Sequence, residues 1–162
     1  MEELFGAVAG LALTVVMAGL ATFFGVWLFE RATRGIDDWA ELRSGNVAIG
    51  MIMASIVVAV GIIVRPALQE PLIAADLGRS RPLYELMVSA IGVVIALLLA
   101  VGAVGLALWL FTRLTTDLDE WAELKDGNNA VAVLMAGVIL AIALLTATAV
   151  ERILGALTDL VK

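Results

Sequence analysis

The sequence predicts an all-α integral membrane protein, with four transmembrane helices arranged as two tandem parallel hairpins. Three observations carry that reading. The 162 residues are 62% hydrophobic and only 16% charged, whereas a soluble domain is about half apolar and about a quarter charged. Four long runs, Leu4 to Phe29, Val47 to Val64, Leu86 to Phe111 and Ala130 to Val150, contain no Asp, Glu, Lys or Arg. Finally, the chain superposes on itself at an offset of 82 residues.

A bilayer core about 30 Å thick needs roughly 20 apolar residues in a helix. The first, third and fourth runs meet that length, and the second, at 18 residues, must cross nearly upright. Val, Ile and Thr lower helix propensity in water, but a lone strand leaves its backbone unsatisfied in lipid. The runs are also about twice the length of a barrel strand. The start Met1-Glu2-Glu3 lacks the basic region of a secretory signal, so the first run is expected to be a retained helix.

The repeat rests on polar residues, which seldom align by chance. Trp27-Leu28-Phe29-Glu30-Arg31 falls on Trp109-Leu110-Phe111-Thr112-Arg113. Downstream, the stretch from Asp37 to Asn46 falls on that from Asp119 to Asn128, pairing Trp39 with Trp121, Glu41 with Glu123 and Gly45 with Gly127, and Ala48 then falls on Ala130. Each unit reads helix, motif, helix, so both motifs face one compartment and the halves are expected to relate by a pseudo-twofold along the membrane normal. The whole is read as one membrane domain, 1–162. Repeat one covers 1–64, a Pro-containing connector 65–85, repeat two 86–150 and an amphipathic tail 151–162. Pro66, Pro71 and Pro82 are expected to interrupt helix in the connector, with a short surface helix near Leu72 to Leu77.

A straight helix from Phe29 to Arg43 would rise about 21 Å above the apolar boundary, yet Val47 opens the next run at once. A bend near Thr33 to Ile36 resolves the conflict, followed by a short interfacial amphipathic helix. Ile36, Trp39 and Leu42, and in the second copy Leu118, Trp121 and Leu124, recur at i, i+3, i+6 and mark its apolar side. Tryptophan suits that depth. Asp37 and Glu41, like Asp119 and Glu123, are four apart and share the wet side.

Capping explains most of the motif. Asp37, Asp38, Asp119 and Glu120 complement a helix N-terminus, and Arg43 and Lys125 a C-terminus. Gly45 and Gly127 fit the left-handed position after a helix, while Asn46 and Asn128 fit the N-cap of the next span. A sharper reading gathers Asp37, Asp38, Glu41, Asp119, Glu120 and Glu123 at one surface, where a divalent or polyamine cation would relieve their repulsion and Asn46 and Asn128 could add carbonyls. The spacing is not that of an EF-hand. A third reading, a pore between subunits with the acidic motifs as vestibule, has no charged lining in the spans to support it.

The chain has no Cys and no His, which removes the usual Zn and haem ligands, thiol nucleophiles and imidazole catalysis. A net charge of −6 with ten Lys and Arg gives no footprint for nucleic acid. No phosphate loop, serine elbow or HExxH is present, so no enzyme and no cofactor is expected. Small-xxx-small pairs such as Gly6 and Gly10, Gly50 and Ala54, and Ala132 and Ala136 let helices approach closely in lipid. They are more widespread than four helices need, which predicts a homo-oligomer.

The acidic-Trp-Ala-Glu-Leu-basic-x-Gly-Asn-x-Ala block, present at Asp38 to Ala48 and Glu120 to Ala130, resembles that of the family called domain of unknown function 350. These are small prokaryotic membrane proteins built from two such halves. The resemblance covers nearly the whole chain and implies the two-repeat fold, with a structural or regulatory, membrane-organising or stress-related role and no established activity. Partners are expected to be the lipid bilayer, further copies and a membrane-associated protein. Basic residues divide equally between the two sides. Glu2 and Glu3 before the first run, with Arg31 and Arg34 after it, favour motif loops in the cytoplasm of a prokaryotic cell.

Overall fold

In the computed structural model, residues 2–32, 37–76, 82–115 and 118–160 are described. Six helices follow one another: α1 (Glu2–Ala32), α2 (Asp38–Arg43), α3 (Val47–Asp76), α4 (Pro82–Leu114), α5 (Glu120–Lys125) and α6 (Asn129–Leu160). No strand occurs among the described residues. Long apolar helices and six-residue helices alternate as the repeat requires, α1, α2 and α3 matching α4, α5 and α6. Val47–Leu68, Ile91–Leu114 and Asn129–Ala156 are long and apolar enough to cross a bilayer.

α3 lies at the centre, with α1 on one side and α4 and α6 on the other, and α4 also packs on α6. Its fully buried Ile49, Ile52, Ile56, Val60 and Ile63 form the middle of the core. The α1–α3 approach is close: a Cβ on Gly25 would stand 3.0 Å from the Val57 Cα, so glycine allows the two backbones to meet. Beyond the core, Val15, Val16, Leu20 and Phe23 of α1 are exposed, as are Val94, Leu98, Leu106 and Trp109 on the candidate span of α4.

Three expectations need correction. Pro66 and Pro71 do not end a helix, because α3 runs through both to Asp76, taking in 72–76 of the stretch expected to form a separate surface helix, whose last residue, Leu77, lies outside the described residues. Proline removes one backbone donor and crowds the preceding turn, but Pro66 is half-buried beside the buried Ala67 within the apolar span Val47–Leu68, where no water can take over backbone groups and the helical path is retained. Pro82 is the first residue of α4, where its missing N–H costs nothing. With the helix unbroken, the apolar span of α3 is Val47–Leu68, 22 residues rather than 18.

The third correction concerns symmetry. The halves run parallel, yet α4 packs on α3 while, among the described residues, α1 makes no more than marginal contact with α6. A twofold would make those contacts equal. Chain connectivity accounts for the difference: α4 follows α3 directly, and consecutive elements tend to lie side by side, whereas nothing ties α1 to α6. The amphipathic tail continues α6 as far as Leu160. Leu154 is buried in it, with its Cδ2 3.2 Å from where a Cβ on Gly92 of α4 would stand. The bend expected at Thr33 to Ile36 lies outside the described residues.

Candidate functional site

The two motifs fold into matching elbows. Asp37 caps α2 by accepting from the Ala40 N–H at 3.0 Å, and Asp119 caps α5 by accepting from the Ala122 N–H at 3.1 Å. At the far end, the Gly45 N–H donates to the Leu42 carbonyl and the Asn46 N–H to the Glu41 carbonyl. Gly127 and Asn128 repeat this with Leu124 and Glu123. That paired pattern closes a helix C-terminus through a left-handed residue, and Gly45 and Gly127 have φ of +85° and +78°. Asn46 then starts α3, its Oδ1 accepting from the Ile49 N–H at 3.2 Å, and Asn128 starts α6 by accepting from the Ala130 N–H at 3.1 Å.

The same asparagines use their amide donors on the acidic residues. Asn46 Nδ2 donates to Glu41 Oε2 at 3.0 Å and Asn128 Nδ2 to Glu123 Oε2 at 2.7 Å. Asn46 Nδ2 also reaches the other elbow, donating to the carbonyls of Leu124 at 3.0 Å and Lys125 at 3.1 Å. This bond crosses 78 positions of sequence and places both elbows at one end of the bundle.

Of the six acidic residues expected to crowd one face, Asp37 and Asp119 are exposed and Glu41 and Glu123 half-buried. Asp38 and Glu120 are each only 5% exposed, so the six do not share one wet face. Glu120 accepts a hydrogen bond from the Thr115 hydroxyl. Spacing gives the reason: Asp38 and Leu42, like Glu120 and Leu124, lie four apart on one side of a helix, and Leu124 is fully buried. That i, i+4 relation to a core leucine was the available signal for burial. Among the described residues, no three acidic side chains gather in a way that could hold a metal ion.

The tryptophans differ between elbows. Trp39 is about half exposed and its Nε1 donates to Glu30 Oε1 at 3.0 Å, tying α2 back to α1. Trp121 packs partly buried against the core, and the equivalent of Glu30 is Thr112, whose hydroxyl donates instead to the Trp109 carbonyl. Near the elbow, the Arg113 guanidinium sits 5.7 Å from the centre of the Trp109 ring, within cation–π range.

Long apolar helices in tandem hairpins, with capped acidic elbows at one end, define a helical membrane protein of internal-repeat type. The family model described as Domain of Unknown Function (DUF350) matches twice, at residues 3–97 and 85–161. The two matches begin 82 residues apart, the same offset that aligns the motifs. The chain belongs to the DUF350 family. No curated protein and no solved structure matches it.

Proposed function

We propose that this protein is a non-enzymatic, homo-oligomeric integral membrane protein that organises the membrane around it, in a structural or regulatory role. α1 serves as the fourth span, and α2 and α5 lie at the interface with their tryptophans at headgroup depth. The paired elbows form the surface offered to a membrane-associated partner. One observation carries the reading: Asp37, Asp119, Glu41 and Glu123 each hold a backbone N–H or an asparagine amide of their own repeat. Their chemistry is spent on shaping the elbow, which favours architecture over cation capture.

Two sets of variants in liposomes separate this reading from a cation channel or transporter. Asp37→Asn, Glu41→Gln, Asp119→Asn and Glu123→Gln combined remove four charges but keep the acceptors. This set should retain melting temperature and assembly, with no change in cation flux. The four alanine substitutions should instead lose about 1 kcal/mol per cap and weaken assembly. If the isosteric set abolishes a cation flux or a cation-dependent thermal shift that the unaltered protein displays, the acidic residues act on ions and the architectural reading fails.

A further inference from the structure

The repeat gives each surface of one half a counterpart in the other, so a surface filled in one half and bare in the other is informative. On α3, Ala48, Ile52, Ser55, Ala59 and Ile63 are all buried. They form one stripe at 3.6 residues per turn, on the side opposite Val57, which meets Gly25 of α1. This stripe therefore faces the second hairpin. Its counterparts on α6 are Ala130, Leu134, Gly137, Ala141 and Leu145, and all five are exposed. Ile52 and Ile63 are 0% exposed, whereas Leu134 and Leu145 are 59% and 76% exposed.

The complementary surface is also present and bare. Ala100 and Val104 of α4 are buried, while their counterparts on α1, Ala18 and Thr22, are exposed. α4 packs on α3 as well as on its hairpin partner α6, whereas α1, among the described residues, packs on α3 and no more than marginally on α6. The elbows repeat the difference. Asn46 reaches across to the Leu124 and Lys125 carbonyls, and Leu124 is fully buried where its counterpart Leu42 is only half-buried. The contact within the chain thus joins two different surfaces, an acceptor on repeat one and a donor on repeat two. The matching acceptor on repeat two and donor on repeat one face outward.

We infer that these two bare surfaces meet between copies of this chain: the Ala130 to Leu145 stripe of one copy receives the first repeat of the next, α1 and α2 included, continuing the internal contact head to tail. The inference rests on the self-association proposed above and specifies its geometry. Such a contact joins unlike patches, so successive copies advance by a fixed rotation, which gives a ring where that rotation closes and an open row where it does not. Every elbow then lies on the same rim. Small residues at Ala18, Gly19, Ala130, Gly137 and Ala141 allow the close helix contact that holds membrane helices together.

Because the chain has no cysteine, the contact can be read by cross-linking the full-length protein in lipid nanodiscs with a short bis-maleimide. Val47→Cys with Lys125→Cys spans the internal contact and calibrates the reagent by linking within one chain. The counterpart positions are Asn129 and Arg43. A mixture of Asn129→Cys chains and Arg43→Cys chains should give linked dimers at a yield comparable to the calibrating pair, each alone should give at least tenfold less, and the double variant should give a ladder. Leu134→Trp with Ala141→Trp should abolish the mixed dimer while the calibrating link remains, which shows that the chain is still folded. Strong dimers from either single variant alone would mean like-to-like contact and overturn the head-to-tail arrangement, although self-association would stand. No linked dimer, together with a monomer mass in lipid, would overturn both.

Discussion

Gly45 and Gly127 hold the left-handed turns that close α2 and α5, and the reason is local. At φ of +85° and +78°, a β-carbon would crowd the following carbonyl, and each turn also anchors the asparagine that opens the next long helix. Gly45→Ala or Gly127→Ala should each destabilise by about 1–2 kcal/mol, read as a lower melting temperature in detergent with helix content unchanged at low temperature. Beyond the adjoining residues, no atom lies within 4 Å of a Cβ at either position, so the loss would come from local backbone strain alone. An unchanged melting temperature would contradict that account. The positions of these glycines were legible because a left-handed residue after a short helix depends on a few neighbouring residues. The burial of Asp38 and Glu120 was less so: charge argued for water, and only the stripe shared with Leu42 and Leu124 argued otherwise.

The long helices show where local rules yield to surroundings. Pro66 and Pro71 read as breaks in the sequence, yet α3 continues through them to Asp76; at Pro66, inside the apolar span, a helix that stopped would leave its backbone groups without partners. α1 and α3 depend on one close approach. Gly25→Leu would drive a branched side chain into the Val57 backbone, 3.0 Å from the position of the first added carbon, and should cost about 1–3 kcal/mol through overpacking. The counterpart, Ala107, is already fully buried with a methyl group, so Ala107→Gly should be milder, near 1 kcal/mol. Unfolding of both variants in detergent tests the order. If Gly25→Leu is the milder of the two, the α1–α3 contact is not set by backbone proximity.

At the scale of the molecule, Asn46 joins the two elbows and Asn128 does not do so within the chain. In monomeric protein held in mild detergent, Asn46→Ala loses a cap, the bond to Glu41 and two bonds to the other repeat, and should cost roughly 2–3 kcal/mol. Asn128→Ala loses the cap and the bond to Glu123, and should cost about 1–2 kcal/mol. Equal losses in denaturant unfolding would mean that the bonds to Leu124 and Lys125 add nothing. The sequence by itself determined the helical class, the membrane solvent, the 82-residue repeat and the capping pattern, since each depends on composition or on residues a few positions apart. Only the tertiary structure decided that α4 packs on α3 without a matching α1–α6 contact, that α3 becomes the buried centre, and that Asp38 and Glu120 turn inward. Two nearly equivalent hairpins can pack in several ways, and the choice lies in long-range contacts between faces that the sequence writes almost identically.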